Sequence, residues 1–212
     1  MSADRGRAAC CTAESSNGSL ASGDYAAIYV RHSGGAVFTT PPPTLRTPSK
    51  LLVRSALPED STRISEIYNH YIKTSTITFE VDPVTASEME ARIHDIQSLS
   101  YPWLVAADGS DLLGFAYGSR WKSRAAYQHS SEITAYVRPG LERAGVGSAL
   151  YSQLLPALKA IGVRTVIGGV ALPNEASVRL HEKFGFEKCA HFKNVGFKFD
   201  RWIDVAYWQR AL

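Results

Sequence analysis

The chain has 212 residues, 45% of them hydrophobic and 20% charged, with a net charge of +3. Such a composition supports one ordinary core with an appendage and argues against global disorder. The charge is too small to point to nucleic acid or an anionic membrane as partner. No apolar run approaches the ~20 residues of a membrane span, and three cysteines, two of them adjacent, argue against a disulfide-stapled domain.

Residues 1–50 are rich in Ser, Ala, Gly, Thr and Pro and include Pro41-Pro42-Pro43. Their only apolar cluster, residues 25–30, is too short for a core, so a disordered extension is expected. They lack the apolar stretch of a secretory signal, and Asp4, Glu14 and Asp24 argue against a transit peptide. The expected location is the cytoplasm, with organellar targeting by residues 1–50 left open.

From residue 51 to 212 the pattern is that of a globular domain. Residues 51–54 read as a short strand, and Pro58-Glu59-Asp60 opens a helix whose Ile64, Ile67, Tyr68 and Tyr71 recur at helical spacing. Thr85 or Ser87 caps a second helix carrying Met89, Ile93 and Ile96. Residues 103–107 and 112–117 form a hairpin around Asp108-Gly109-Ser110-Asp111. Residues 132–137 alternate, with Ile133, Ala135 and Val137 on one face and Glu132, Thr134 and Tyr136 on the other. A helix over about 147–160, a buried strand over 165–170, a helix over 174–184 ended by Gly185, and strands around 192–199 and 205–208 complete the chain. The order β-α-α-β-β-β-α-β-α-β-β predicts an α/β (α+β) fold, a mixed, mostly antiparallel twisted sheet with helices on both faces.

Chemistry is written first at the strand-to-helix junction Tyr136-Val137-Arg138-Pro139-Gly140-Leu141-Glu142-Arg143-Ala144-Gly145-Val146-Gly147-Ser148. Two glycines opening a helix allow a ligand close to the backbone, and free N–H groups at a helix start suit a pyrophosphate. A plain strand-to-helix turn would look the same. The Lys of a P-loop and the third glycine of a dinucleotide fingerprint are both absent. Downstream, Asn174-Glu175-Ala176-Ser177 opens the next helix, where the Asn either caps the helix or binds a ligand amide.

Together, the strand, Gly-x-Gly, helix, strand, Asn-x-x-Ser, helix and Phe184-Gly185-Phe186 resemble the Gcn5-related N-acetyltransferase superfamily over about residues 51–210. Ile67-Tyr68-Asn69-His70-Tyr71, Tyr101-Pro102-Trp103, Trp121-Lys122-Ser123-Arg124-Ala125-Ala126-Tyr127, Leu172-Pro173-Asn174 and Trp202-Ile203-Asp204-Val205 narrow the resemblance. They are similar to the phosphinothricin and methionine sulfoximine N-acetyltransferase group. The resemblance implies acetyl-CoA as co-substrate. Its pyrophosphate would be held by Arg143, Ala144, Gly145, Val146, Gly147 and Ser148, and its arm by Tyr136, Val137, Asn174 and Ser177. The family's usual Gln or Arg three before the first glycine is Glu142 here. Unless that carboxylate points away or pairs with Arg143, it would weaken the affinity for pyrophosphate.

The same resemblance implies acetylation of the α-amine of small amino-acid-like substrates by direct transfer. Glu132 would be the general base, against the alternative of a rim carboxylate facing water, and His181 the proton donor to sulfur or a polar anchor, against that of an ordinary helix histidine packed beside Phe184. Tyr151, a further candidate donor, is as readily a packed aromatic. Lys122, Arg124 and Tyr127 would hold a carboxylate and Phe79 would wall the acceptor pocket beside Thr134, against the alternatives of solvated charge and simple core. Two alternatives stay open: another amine acceptor, a polyamine or a protein N-terminus, or a non-catalytic acyl-CoA-binding module. The basic loop argues against a polyamine, and Glu132 with His181 argues against the module. A homodimer is expected, with Tyr207 and Trp208 as exposed aromatics that serve either it or simple packing. The remaining histidines show no metal-ligand spacing, so no metal is expected.

Overall fold

A computed structural model describes residues 51–212; the extension expected over 1–50 lies outside the described residues. The elements follow the predicted order: β1 (Leu52–Ser55), α1 (Ser61–Thr74), α2 (Ala86–Ser98), β2 (Trp103–Asp108), β3 (Asp111–Arg120), β4 (Ser130–Val137), α3 (Val146–Ala160), β5 (Thr165–Ala171), α4 (Glu175–Lys183), β6 (Glu187–Lys198) and β7 (Arg201–Ala211). Local chemistry sets several boundaries. Pro58–Asp60 forms a 3₁₀ turn ahead of α1, with the Asp60 carboxylate taken by Arg54 (2.6 and 2.8 Å) and by the Leu57 N–H (2.8 Å). Thr85, not Ser87, caps α2: its Oγ1 accepts from the Glu88 N–H at 3.2 Å while Glu88 accepts from the Thr85 N–H at 2.8 Å.

The seven strands form one sheet in the order β1-β2-β3-β4-β5-β7-β6. Every pairing is antiparallel except β4 with β5. One apolar cluster joins α3 to Leu104, Ala106, Ala116, Ile133 and Val166 of the sheet. The other joins α1 and α2 to Trp103, Val105, Phe115 and Tyr136. Neighbouring residues of one strand thus serve opposite layers, as strand alternation requires.

The β4–β5 pairing is the feature that matters for function. It runs over three positions only, Ser130 to Thr165, Ser131 to Val166 and Glu132 to Ile167. Beyond them β4 stays paired with β3 as far as Val137 and β5 with β7 as far as Ala171. The sheet therefore opens into two intact arms with a cleft between them.

Two expectations need correcting. β6 begins at Glu187 rather than near residue 192. It is an edge strand, mostly exposed over Glu187–His191, so apolar patterning gives no sign of it there. Trp208 is 3% exposed and Tyr207 half-buried, because they pack inward from β7. The exposed aromatics of the C-terminal hairpin are instead Phe192, Phe197, Phe199 and Trp202. Among the described residues no helix is long and apolar enough to cross a membrane.

Candidate active site

The cleft is lined by Tyr71 and Ile77 from the α1 side, by Ile133–Val137 of β4, by Gly145, Gly147 and Ser148 at the start of α3, by Gly169–Ala171 of β5, and by Asn174, Ser177 and His181 of α4. Its volume is about 300 Å³, at the lower end of the range for small-molecule sites.

At one end, Gly145 adopts φ 81° as the N-cap of α3. A side chain would be strained there, and the turn delivers the first helical N–H groups to the cleft. The first intrahelical donor is Ala149, 2.9 Å from the Gly145 carbonyl, so the N–H groups of Val146, Gly147 and Ser148 precede it and point out of the helix start. With the helix dipole they suit an anion. The Val146 side chain is buried in the core, and Arg143 is exposed on the loop outside the cleft lining. Glu142 does line the cleft, but its Oε1 accepts from the Gly140 N–H at 3.0 Å, which ties the carboxylate to its own loop.

Along the β4 edge, the Tyr71 hydroxyl donates to the Val137 carbonyl at 2.6 Å and fixes the end of the strand. Asn174 does cap α4, since its Oδ1 accepts from the Ser177 N–H at 3.1 Å. Its side-chain NH₂ keeps both donors for a ligand amide.

At the other end stand two adjacent glycines, Gly168 and Gly169 of β5. A Cβ on Gly168 would overlap the His181 ring, and one on Gly169 would come within 3.1 Å of the Tyr207 ring and 3.5 Å of Glu132 Oε1. Because successive strand positions face opposite ways, His181 and Glu132 approach the same point from opposite faces of the sheet.

On the α4 face, His181 is 3% exposed. Its Nδ1 lies 2.8 Å from the Ser177 carbonyl, which only accepts, so Nδ1 carries the proton. Nε2 is then the acceptor of the Tyr151 hydroxyl at 3.2 Å. Burial pushes the imidazole below its usual range, opposed by the bond to Ser177, and pushes the Tyr151 phenol well above its own. At neutral pH the pair is a neutral imidazole accepting from a protonated phenol.

On the opposite face, half-buried Glu132 sits beside Tyr207, whose ring meets Trp121 and Phe192 edge-on at centroid distances of 5.7 and 5.8 Å. Burial raises the Glu132 carboxyl above its usual range, and the charge of Lys122 works against that rise. Lys122 itself stacks over the Trp121 ring at 4.5 Å. Arg124 and Tyr127 are exposed on the same loop and, like Phe79, lie outside the cleft lining.

The structure thus gathers Thr134, Tyr136, Val137, Gly145, Gly147, Ser148, Tyr151, Asn174, Ser177 and His181 along the cleft, sets Glu132 beside Gly169 of that lining, and leaves Phe79, Lys122, Arg124 and Tyr127 outside it. Sequence reading missed Tyr71, Ile77, Gly169 and Tyr207. For Gly169 a signal was present: two glycines inside a buried strand mark a place where something approaches the backbone closely.

Residues 53–207 match the family described as acetyltransferase (GNAT) domain. The phosphinothricin N-acetyltransferase of Streptomyces viridochromogenes is 41% identical over 160 residues, covering 74% of this chain and 86% of that protein. The L-methionine sulfoximine/L-methionine sulfone acetyltransferase of Salmonella typhimurium is 31% identical over 162 residues, covering 76% and 95%. The crystal structure of a phosphinothricin acetyltransferase from Sinorhizobium meliloti in complex with acetyl-CoA superposes with a TM-score of 0.74 at 34% identity, covering 76% of this chain and 88% of that one. The open cleft, the left-handed Gly145 and the free helix-start N–H groups fit acetyl-CoA, the co-substrate of these enzymes. The chain belongs to the GNAT family of N-acetyltransferases.

Proposed function

We propose that this enzyme acetylates the α-amine of small amino-acid-like compounds, phosphinothricin or methionine sulfoximine among them, by direct transfer with Glu132 as general base. The relatives' names support the substrate class. The observation that carries the mechanism is the placement of Glu132 and the Tyr151–His181 pair on opposite faces of the sheet, meeting at the glycine pair of β5.

Acetyl-CoA, when bound, supplies an acyl group activated as a thioester. The N–H groups of Val146, Gly147 and Ser148 hold its pyrophosphate, and the open edge of β4 with the Asn174 amide holds its arm. Glu132, kept basic by partial burial, takes the proton of the incoming ammonium directly or through one water. Tyr151 keeps a transferable proton on the opposite face, where the departing thiolate forms. His181, with no proton on Nε2, orients that hydroxyl. In this reading Tyr151 is the donor and His181 its anchor. Lys122 and Arg124 at the rim neutralise the acceptor carboxylate.

The test is a thiol-release assay with acetyl-CoA over a panel of amines. Phosphinothricin, methionine sulfoximine and methionine sulfone should be turned over with formation of the N-acetyl product, and spermidine and a peptide N-terminus should not. Turnover confined to spermidine or the peptide would reject the substrate class. Acetyl-CoA binding without turnover of any amine would instead reveal a binding module.

A further inference from the structure

Residues 75–84 connect α1 to α2 and reach both arms of the open sheet. On the β4 side, the Tyr68 hydroxyl lies 2.9 Å from Thr78 Oγ1 and donates to Glu80 Oε1 at 2.9 Å, and Glu80 is held in turn by Arg92 at 2.7 Å. The Asn69 side chain closes the segment by accepting from the Val84 N–H and donating to its carbonyl, both at 2.8 Å. Ile77 lines the cleft between these ties.

On the far side the segment is gripped by β6, the strand furthest from α1 in the sheet. Lys198 is 4% exposed, and its ammonium donates to the Thr78 carbonyl at 2.9 Å across 120 positions of sequence. Two residues earlier, Gly196 leaves room for Phe79: a Cβ there would overlap the tip of the Phe79 ring. Gly196 and Lys198 alternate with exposed Val195 and Phe197, so both face the segment while those neighbours face away. Nothing in the mechanism above uses a buried lysine at this place. A lysine is seldom so buried unless its charge is engaged.

We propose that Gly196 and Lys198 are positioning residues for acceptor selectivity: they latch residues 75–84 across the cleft and set how deeply Phe79 closes the acceptor side. This rests on the amino-acid acetyltransferase reading above. The glycine decides where the ring lies, and the ammonium decides where the backbone carrying it lies. Both act through Phe79 rather than on the reacting atoms.

The experiment compares wild type with Gly196→Ala, Phe79→Ala, the double variant and Lys198→Met. Each is assayed by thiol release on amino-acid acceptors of graded side-chain length, from alanine to methionine sulfone, and each acetyl-CoA Kd is measured by calorimetry. Gly196→Ala pushes only a partly exposed ring, so it should fold. It should change the ratio of kcat/KM between long and short acceptors by about tenfold, the scale of one or two methylenes in a pocket. That change should vanish in the Phe79→Ala background. Lys198→Met should raise the acceptor KM by about tenfold with little change in kcat, and both variants should keep acetyl-CoA Kd within about twofold.

Unchanged acceptor ratios in Gly196→Ala and an unchanged acceptor KM in Lys198→Met would overturn the latch, as would a Gly196→Ala effect that persists without Phe79. Failure of the underlying reading is separate: wild type would then turn over no amino acid at all. In that event the thermal-midpoint cycle of the four Gly196 and Phe79 combinations still decides. Coupling between the two sites supports the latch, and additivity overturns it.

Discussion

Glu132→Gln is expected to lower turnover by about 10²–10⁴-fold, the range for a positioned acid–base group, with acetyl-CoA affinity unchanged. Glutamine keeps the volume beside Gly169 and Tyr207 but takes no proton from an ammonium. The pH dependence carries the same signature. Burial raises the Glu132 carboxyl, with Lys122 opposing, so wild-type activity should fall on acidification through a pKa above the ordinary carboxylate value. In Glu132→Gln that limb should disappear, and the deficit should shrink as pH rises because more acceptor amine is already deprotonated. Thiol-release rates of both enzymes from acidic to alkaline pH check this. Near wild-type turnover of the variant at neutral pH would leave Glu132 a structural residue.

Gly168→Ala should be the most damaging single methyl in the cleft. Its Cβ would overlap the imidazole of His181, which is buried and held at both nitrogens by Ser177 and Tyr151. The ring has no free direction in which to yield, so a loss of about 1–3 kcal/mol is expected, the usual cost of overpacking. Turnover should also fall, because the Tyr151 hydroxyl loses its partner. Gly169→Ala is the control one residue away. Its Cβ would meet the Tyr207 ring at 3.1 Å and Glu132 Oε1 at 3.5 Å, contacts that a shift of a few tenths of an ångström relieves. Denaturant unfolding of both variants measures the contrast, and equal stability losses would contradict the two-faced arrangement of the glycine pair.

Most of the fold was legible because its signals were local. The Gly109 turn dictates the β2–β3 hairpin, and the alternation of residues 132–137 separates Ile133, in the α3 layer, from Tyr136, in the α1–α2 layer. The glycine loop and the Asn174 cap were equally readable, since each is a strand-to-helix junction with its own chemistry. The early start of β6 was not legible: an edge strand with polar residues on both faces carries no period-two pattern. Nor was the inward packing of Trp208, because an aromatic near a chain end has the same letter whether it faces solvent or core. The meeting of Glu132 with His181 depends on where β4 and β5 stop pairing, 35 positions apart in register at Glu132 and Ile167. No local motif encodes such a distance, although Gly168-Gly169 marked the spot.

If acetyl-CoA binds in the cleft where β4 and β5 part, with its phosphates on the start of α3, amide hydrogen exchange with and without acetyl-CoA should reveal it. Protection on binding is expected in the edge of β4 over residues 133–137 and in the helix start over residues 146–148, with the far strand β1 unchanged. Binding without protection in either segment, or protection confined to the outer surface of the sheet, would contradict that placement.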